Sequence, residues 1–381
     1  MKSPNGLEAK EEIEQFHKRN LNKSSEFVYI TNTMILRQTK DLQFSKKINE
    51  KRRFETKDIV KRRAVITPDR ITIENYPIKK PLAVFNPSFK IVKSGFKIFA
   101  RVAFGYYTYA SSMIEFDFPF EHMFFNCNHV YKSRLCIIPD NKYDFWGVED
   151  PRYYKLDNME LITYCGRTLG YFDTDTSMEK TLPITALWNG KEWKKIEVYR
   201  FPIETRTLVL SDKNAFLFKA NEILLFHRLH LNNRKFYLAV SKTAHNLQLR
   251  DTIEEIEIKE SVFFLEPSGF ESKIGWATPP IKIEKEYLVF IHAMNRDQVY
   301  RVFSALINED GFISAVTPFY VMEPRQVYEV YGDRPYVVFP CGAQVWENKI
   351  YITYGAADSV IGIGELEIDH LLDILHKNRI Y

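Results

Sequence analysis

The segment WGVEDPRYYKLDNMELITYCGRT, at residues 146–168, holds a group of residues that could carry out proton transfer. Glu149, Asp150 and Arg152 stand together immediately ahead of a β-like run that ends on Arg167. A carboxylic acid can donate a proton to a leaving group, and an arginine beside it can bind polar or anionic groups. A charged turn on a solvated surface has a similar composition, so this segment alone leaves both interpretations open.

The overall composition favours a globular protein built mainly from strands. Of the 381 residues, 45% are hydrophobic and 15% are aromatic, and aromatic residues are enriched in strands. The stretch after Met1 lacks the apolar core of a secretory signal, and no apolar run reaches the roughly 18 residues that a membrane span needs. We therefore expect a cytoplasmic protein with no membrane partner.

The cysteines give no sign of a metal site or a disulfide framework. The spacing of histidine and cysteine between residues 122 and 136 fits no standard zinc pattern, so we expect no bound metal. Without a secretory signal, scattered cysteines are expected to be reduced thiols. The four cysteines are Cys127, Cys136, Cys165 and Cys341.

The positive charge of the chain is concentrated at its N-terminus. Residues 1–63 contain 16 Lys/Arg against 9 Asp/Glu, whereas the remainder contains 37 against 40. This arm shows no aromatic stacking or groove-reading motif, so we expect no nucleic-acid partner. Residues 5–20 and a stretch around residues 42–62 are helix-like. We predict a basic, helix-rich arm over residues 1–64 that packs on the body or on another protomer.

The body contains a repeat of about 63 residues. Five short apolar segments each end on a polar or cationic residue, and their starts are separated by 65, 62, 64 and 63 residues. The segments are FKIFAR from Phe96, LITYCGR from Leu161, ILLFHR from Ile223, YLVFIH from Tyr287 and IYITYGAAD from Ile350. A second element lies upstream of each one, beginning at residues 85, 149, 212, 278 and 340.

Such a unit is long enough for a four-stranded antiparallel sheet with its loops, and five units fill residues 65–381. The spacing predicts an all-β fold, a five-bladed β-propeller that follows the helical N-terminal arm. A β-sandwich with chance spacing is the alternative. In a propeller, the polar residues of the five units converge on the central axis and form one site.

Several motifs resemble those of glycoside hydrolase family 130. They are GVEDPR with the downstream ITY, DKNAFLF…LLFHR, PPIKI…VFIHA and VVFPCGAQV…YITYGAADSVIGIGELEIDHLL, in order over residues 80–375. That family contains β-mannoside phosphorylases and some β-mannosidases on a five-bladed propeller, and glycosyltransferase family 108 is related to it. The resemblance implies that Asp150 is the general acid and that its proton passes through the 3-hydroxyl of the sugar. It implies that Arg152 binds sugar hydroxyls and orients the acid, while Glu149 either contacts sugar or makes a structural hydrogen bond.

A single acid suffices for phosphorolysis because phosphate is already an anionic nucleophile, whereas an inverting hydrolase needs a second carboxylate to activate water. Phosphate instead requires a cradle of cations. By resemblance we predict phosphate binding by Arg167, Lys213, His227 and Arg228. Sugar contacts are expected from Asn86, Arg101, His292 and Asp358. No cofactor is expected besides phosphate as co-substrate.

The predicted activity is that of a β-mannoside phosphorylase, a glycosyltransferase-type reaction. It converts a β-linked manno-oligosaccharide and phosphate, with inversion, to α-mannose 1-phosphate and a shortened acceptor. A β-1,2-mannosyltransferase/phosphorylase that builds mannan, a β-mannosidase and a non-catalytic glycan-binding propeller remain alternatives. The chain departs from the family at Lys194 and Lys195, where relatives often carry arginine, and at Trp276, which we expect near the acceptor side of the cleft. By resemblance, the arm is expected to form a homo-oligomer.

Overall fold

The computed structural model describes residues 38–106, 109–124, 128–170, 179–309 and 311–380. Most of the predicted arm, including the helix-like stretch at residues 5–20, lies outside these residues, so the prediction of oligomer formation through the arm stays a prediction. None of the helices in the described ranges is both long and apolar enough to cross a membrane.

Among the described residues, helices are few and lie outside the repeated units or between their strands. They are α1 (Gln38–Lys51), α2 (Ile203–Arg206), α3 (Val327–Val330) and α4 (Ile368–His376). Two single 3₁₀ turns lie at Pro68–Arg70 and Phe120–Met123. The first strand among the described residues, β1 (Lys61–Ile66), follows α1 after a short connection.

The first sheet contains one antiparallel meander and one added strand. Its strands are β2 (Ile71–Ile73), β3 (Ala83–Val92), β4 (Gly95–Ala103), β5 (Ser111–Pro119) and β6 (Tyr131–Ile137). Strands β3 to β6 pair antiparallel in chain order, and β2 pairs parallel with β6.

The next eight strands form two further antiparallel meanders. The first comprises β7 (Gly147–Leu156), β8 (Met159–Arg167), β9 (Thr181–Trp188) and β10 (Trp193–Arg200). The second comprises β11 (Val209–Lys219), β12 (Ile223–Leu231), β13 (Phe236–Thr243) and β14 (Glu254–Leu265). Parallel pairing between β10 and β14 joins the two meanders into one eight-stranded sheet.

Two more sheets complete the described body. One contains β15 (Lys273–Trp276), β16 (Ile281–Ile283), β17 (Glu286–Met294), β18 (Tyr300–Ile307) and β19 (Ile313–Val316). The other contains β20 (Val338–Trp346), β21 (Lys349–Ala356) and β22 (Val360–Glu367), with β1 paired antiparallel to β22. The prediction of an all-β fold is confirmed, and each of the five repeated apolar segments contributes a strand, namely β4, β8, β12, β17 and β21.

The first strands of the units follow one another in space. Strand β3 contacts β7, β7 contacts β11, and β11 contacts β15. Strand β20 contacts both β17 and β3, so the series of contacts returns to the first unit. Nearly every residue of β7 is buried, as expected for a strand that is covered on both faces. Polar residues on such strands must therefore find internal partners or face a ligand site.

Residues 38–70, the described part of the chain that precedes β2, pack on the body. Ile48 of α1 is fully buried, and Arg52 forms a bidentate ion pair with Glu271 through contacts of 2.9 and 2.6 Å. Strand β1 covers β22, which would otherwise present unpaired backbone groups at the edge of its sheet. The predicted boundary between residues 64 and 65 falls inside β1, because this strand belongs to the last sheet.

Candidate active site

Three residues lie at equivalent β-bulges in three successive strand units. Asn86, Asp150 and Asn214 have φ values of 48°, 52° and 56°, and each lies at a shift in the register of its strand pair. They are spaced 64 residues apart. Asn and Asp tolerate this left-handed conformation better than most residues, and a β-bulge redirects its side chain. The repeat therefore places three polar groups at equivalent positions of β3, β7 and β11.

The carboxyl group of Asp150 is held on one of its oxygens. Oδ1 accepts hydrogen bonds from Nδ2 of Asn86 at 2.8 Å and from Nη1 of Arg101 at 3.3 Å. Oδ2 has no hydrogen-bond partner among the described residues, and Asp150 is 6% exposed. A Cβ atom at position 355 would collide with Oδ1 of Asn86, so Gly355 allows this close approach. The arrangement leaves one carboxyl oxygen of Asp150 for a ligand.

Glu149 is the shared counter-ion of three predicted ligand-binding cations. Its carboxylate lies 3.0 Å from Arg101, 2.9 Å from Arg167 and 2.7 Å from Lys213, and Glu149 is 1% exposed. Burial opposes ionisation, but the charges of Arg101, Arg167 and Lys213 hold the pKa of this carboxyl well below its usual range. The structure thus brings these cations together around Glu149. This arrangement favours the structural interpretation of Glu149 over a sugar contact.

Arg152 serves as an internal brace. It is fully buried, and its guanidinium donates to the carbonyl oxygens of Asp150 at 2.9 Å, Trp276 at 3.0 Å and Ala277 at 3.0 Å. The geometry does not support the predicted contact with sugar hydroxyls, because these donors are directed at the backbone. The geometry does support the predicted role of Arg152 in orienting the acid, because one of its hydrogen bonds fixes the backbone carbonyl of Asp150.

His227 faces away from the residues predicted to bind phosphate with it. Nδ1 lies 2.7 Å from Oδ2 of Asp212, Nε2 lies 2.7 Å from Oγ of Ser241, and the ring is fully buried. Successive side chains of a strand point to opposite faces, so His227 and Arg228 cannot both face one ligand. The predicted phosphate contact of His227 is therefore not supported. Its place is in an internal hydrogen-bond network.

Arg228 is a buried cation without a counter-ion. It is 5% exposed, its Nε has no hydrogen-bond partner, and it forms no ion pair with the described residues. It is the register partner of Lys213 on the neighbouring strand, and its guanidinium lies 5.3 Å from the ring centroid of Phe236. Burial lowers the pKa of Arg228 from its ordinary value. A buried charge left unpaired in this way is costly unless a ligand compensates it.

Two further cations lie near Arg228, and neither was predicted. Lys273 donates to the hydroxyl of Tyr300 at 2.5 Å, and the guanidinium of Arg334 lies 4.9 Å from the centroid of the same ring. Neither forms an ion pair within the part of the chain that the structure describes. Burial, together with the charges of Arg228 and Arg334, lowers the pKa of Lys273 well below its usual range. Arg228, Lys273 and Arg334, named here the cation cluster, make a region of concentrated positive charge without direct ion pairs among the described residues.

His292 and Asn214 bring unsatisfied polar atoms to the same region. Within the described part of the chain, neither ring nitrogen of His292 has a hydrogen-bond partner, and neither does Oδ1 of Asn214. Both lie beside Gly275, where a Cβ atom would come within 2.6 Å of Oδ1 of Asn214. Burial and the nearby charge of Arg228 lower the pKa of His292 well below its usual range, so the ring is neutral. Buried polar groups without partners are rare in folded proteins, and here they indicate a ligand site.

Asp358 follows β21 and lies within electrostatic range of Asp150. Burial raises its pKa to about 6, the charges of Arg334 and Arg101 act against this rise, and the carboxylate of Asp150 adds to it. Its carboxylate has no hydrogen bond or ion pair among the described residues. The predicted sugar ligands Asn86 and His292 thus carry buried polar atoms without a partner among the described residues, and the carboxylate of Asp358 is unpaired there as well.

Trp276 and the two lysines at which the chain departs from the family lie away from the candidate site. Trp276 is fully buried and donates from Nε1 to the carbonyl of His227 at 3.1 Å, so it is a core residue and does not line the acceptor side. Lys194 and Lys195 line a cavity of about 860 Å³ beside β6 and β10, and none of the site residues described above lines that cavity. Of the residues that were missed, Asn214 had a signal in the sequence, its spacing of 64 residues from Asp150.

A buried carboxyl group with a free oxygen, surrounded by unpaired amide, imidazole and cationic groups, is typical of enzymes that process polar, hydroxyl-rich substrates. This chain belongs to glycoside hydrolase family 130. Residues 50–377 match the family model, which is described as β-1,4-mannooligosaccharide phosphorylase.

Curated relatives and solved structures agree with this assignment. The chain is 28% identical over 229 residues to the β-1,2-mannobiose phosphorylase of Thermoanaerobacter sp. (strain X514), across 58% of this chain and 67% of that protein. It is 27% identical over 227 residues to the 1,2-β-oligomannan phosphorylase of the same strain, across 58% of this chain and 69% of that protein. It shares the fold of the Listeria innocua β-1,2-mannobiose phosphorylase solved with β-1,2-mannobiose, with a TM-score of 0.61, 16% identity and coverage of 84% and 97% of the two chains.

Proposed function

We propose that this protein is a β-mannoside phosphorylase, which transfers a mannosyl group from a β-linked manno-oligosaccharide to inorganic phosphate. The observation that carries the proposal is the cation cluster of Arg228, Lys273 and Arg334, whose members form no direct ion pair with the described residues, although the carboxylate of Asp358 lies within electrostatic range of Lys273 and Arg334. Water needs no such charge to attack a sugar, whereas phosphate needs cations to hold it near the anomeric carbon. The names of the relatives in the same family support this choice of substrate.

In the proposed reaction, an oxygen of phosphate attacks the anomeric carbon while the bond from that carbon to the leaving oxygen breaks. The electron pair of the broken bond stays on the leaving oxygen, which receives a proton. Asp150 supplies this proton from Oδ2, by way of the 3-hydroxyl of the mannosyl group as the resemblance implies. Asn86 and Arg101 hold Oδ1 and so fix the direction of Oδ2. The products are α-mannose 1-phosphate and an acceptor that is one sugar shorter.

The remaining site residues divide between the two substrates. We assign sugar hydroxyls to Asn86, Asn214 and His292, because each has a buried polar atom with no partner among the described residues. We assign them also to Asp358, whose carboxylate makes no hydrogen bond or ion pair there. We assign phosphate to the cation cluster, with Lys213 beside it as the register partner of Arg228. Glu149 and Arg152 then act as positioning residues, since their contacts are internal.

We also propose that the five strand units are the blades of a five-bladed propeller. Two observations support this: the cyclic order of contacts among the first strands, and the closure of the last unit by β1. The polar starts of β3, β7 and β11 would then face a common axis, in agreement with the contacts around Asp150.

A phosphate-dependence assay on β-1,2- and β-1,4-mannobiose tests the function. We expect cleavage only when phosphate is present, with mannose 1-phosphate as product, and none from the Asp150→Asn variant. Cleavage to free mannose at the same rate without phosphate would overturn the proposal in favour of a β-mannosidase. In that outcome Asp358, with its pKa of about 6, becomes the candidate base that activates water. Binding without cleavage would leave a glycan-binding protein.

A further inference from the structure

A hydrogen bond connects two loops beside the proposed sugar site. The hydroxyl of Tyr109, which follows β4, donates to Oδ2 of Asp333 at 2.9 Å, and Asp333 lies between α3 and β20. The backbone of Asp333 is fixed in turn, because its N–H donates to Oγ of Ser359 at 2.9 Å. Ser359 is the neighbour of Asp358, so this connection lies directly against the candidate site.

Tyr109 also reaches the residues that hold the acid. The guanidinium of Arg101 lies 5.5 Å from the centroid of the Tyr109 ring, and the same guanidinium donates to Asp150. Burial raises the pKa of Tyr109, and the carboxylates of Asp358 and Asp333 contribute to the rise. The ring therefore forms a wall of the site on the side of Arg101 and Asp358.

Tyr106 is stacked on the outer side of this wall. Its ring centroid lies 6.2 Å from that of Tyr109 with an interplanar angle of 22°, and Tyr106 is 46% exposed. Tyr109 connects Tyr106 to Asp333, since it stacks on the first and donates to the second, and burial together with the carboxylate of Asp333 raises the pKa of Tyr106. Oδ1 of Asp333 has no hydrogen-bond partner among the described residues. An exposed aromatic face beside an unpaired carboxylate oxygen is a suitable surface for a sugar ring and its hydroxyls.

We propose that Tyr106 and Asp333, held in place by Tyr109, bind the acceptor sugar, the sugar that leaves on phosphorolysis and attacks mannose 1-phosphate in the reverse reaction. The inference rests on the proposed function for the identity of the donor site. The contact series runs outward from Asp150 through Arg101 and Tyr109 to Tyr106, so Tyr106 lies beyond the groups assigned to the mannosyl group being transferred. Tyr106 is then a specificity-determining residue, and Tyr109 is a positioning residue.

The reverse reaction separates the two substrates and tests the assignment. In Tyr106→Ala we expect the KM for the acceptor sugar to rise roughly tenfold, while the KM for mannose 1-phosphate changes less than twofold. Tyr106→Phe keeps the ring and should behave like the wild type. Tyr109→Phe removes the hydrogen bond to Asp333 and should also raise the KM for the acceptor with little change in kcat.

Trp346→Ala is the matched control, because Trp346 is an aromatic residue of similar exposure, 40%, at the opposite end of the β20–β21 hairpin from Asp358. It should change neither KM. An acceptor KM that stays within twofold in Tyr106→Ala, or a parallel rise of both constants, would overturn the inference.

A binding measurement keeps the inference testable if the wild type fails to use phosphate. In the Asp150→Asn background, calorimetry compares the affinity of a β-mannobiose with that of mannose. We expect the disaccharide to bind more tightly and Tyr106→Ala to remove this advantage. If the disaccharide still binds more tightly than mannose in Tyr106→Ala, Tyr106 does not contribute to an acceptor subsite, whatever reaction the enzyme catalyses.

Discussion

Nδ2 of Asn86 donates a hydrogen bond to Oδ1 of Asp150 over 2.8 Å, and the two residues lie at equivalent β-bulges of adjacent strand units. An amide is a suitable partner for an acid that must gain and lose a proton, because the amide itself does not titrate. The bond reserves Oδ1 as an acceptor and leaves Oδ2 to a ligand. Equivalent positions of the repeat thus supply both the acid and the group that aligns it.

Replacing Asp150 by Asn should remove activity and preserve the fold. Asn accepts the bond from Asn86 through its own oxygen and tolerates the φ of 52° at this position, but it has no proton to transfer. Because general-acid catalysis contributes about 10²–10⁴-fold, the rate of mannose 1-phosphate formation should fall by that factor. Thermal unfolding should show a midpoint within a few degrees of the wild type.

Asp117→Asn is a matched control for this substitution, because the side chain of Asp117 is 71% exposed and its one ion pair among the described residues is with Lys97. It should change neither rate nor stability. Near wild-type turnover in Asp150→Asn would remove Asp150 from the proton-transfer step.

The part of the site that lies on the repeat could be predicted from the sequence. Asn86 and Asp150 stand at the same phase of their units, and the second strands that carry Arg101, Arg167 and Arg228 were all located by spacing. Neighbouring positions on a strand are harder to interpret, because they point to opposite faces. His227 and Arg228 were both predicted among the phosphate ligands, but of these two neighbours only Arg228 carries a charge without an ion pair among the described residues.

Residues outside the repeat were not predictable in the same way. Lys273 and Arg334 approach Tyr300 from β15 and from the loop before β20, and nothing in the local sequence connects them. Strand β1 pairs with β22 from the opposite end of the chain, so its place in the last sheet depends on a long-range contact. Such contacts depend on packing of the whole chain, which local propensity does not encode.

Arg228→Met should weaken phosphate binding without destabilising the protein. The substitution removes a buried cation that lacks a counter-ion, and an apolar side chain is more favourable there when no ligand is bound. We expect the KM for phosphate to rise about 10- to 100-fold, because one charge-assisted hydrogen bond to phosphate is lost. Unfolding without phosphate should occur at an equal or higher denaturant concentration, and the stabilisation by added phosphate should largely disappear.

Arg52→Met provides the contrast, because Arg52 is equally buried, at 5% exposure, but is paired with Glu271. Removing it leaves a buried carboxylate uncompensated, at a cost of about 3–5 kcal/mol in the free energy of unfolding. If Arg228→Met loses as much stability as Arg52→Met, then Arg228 has a structural counter-charge and does not await phosphate.

Asp358→Asn should stabilise the protein in a way that depends on pH. Burial, with a contribution from Asp150, raises the pKa of Asp358 from its ordinary value of 3.8 to about 6, so the folded state favours the protonated carboxyl. The stability that the proton contributes is fully present below pH 3.8 and is lost as the pH rises through 6. Asn cannot ionise and tolerates the φ of 49° at this position. The variant should therefore match the wild type near pH 4 and exceed it by up to about 3 kcal/mol above pH 7.

Denaturant unfolding of both proteins at intervals between pH 4 and pH 8 measures this difference. Asp117→Asn is again the control, and its difference from the wild type should stay close to zero throughout. A constant difference for Asp358→Asn would mean that the substitution acts through packing. A difference that favours the wild type at high pH would mean that the charges of Arg334 and Arg101 outweigh the effect of burial. The carboxylate of Asp358 would then be ionised in the folded protein and stabilised by these arginines.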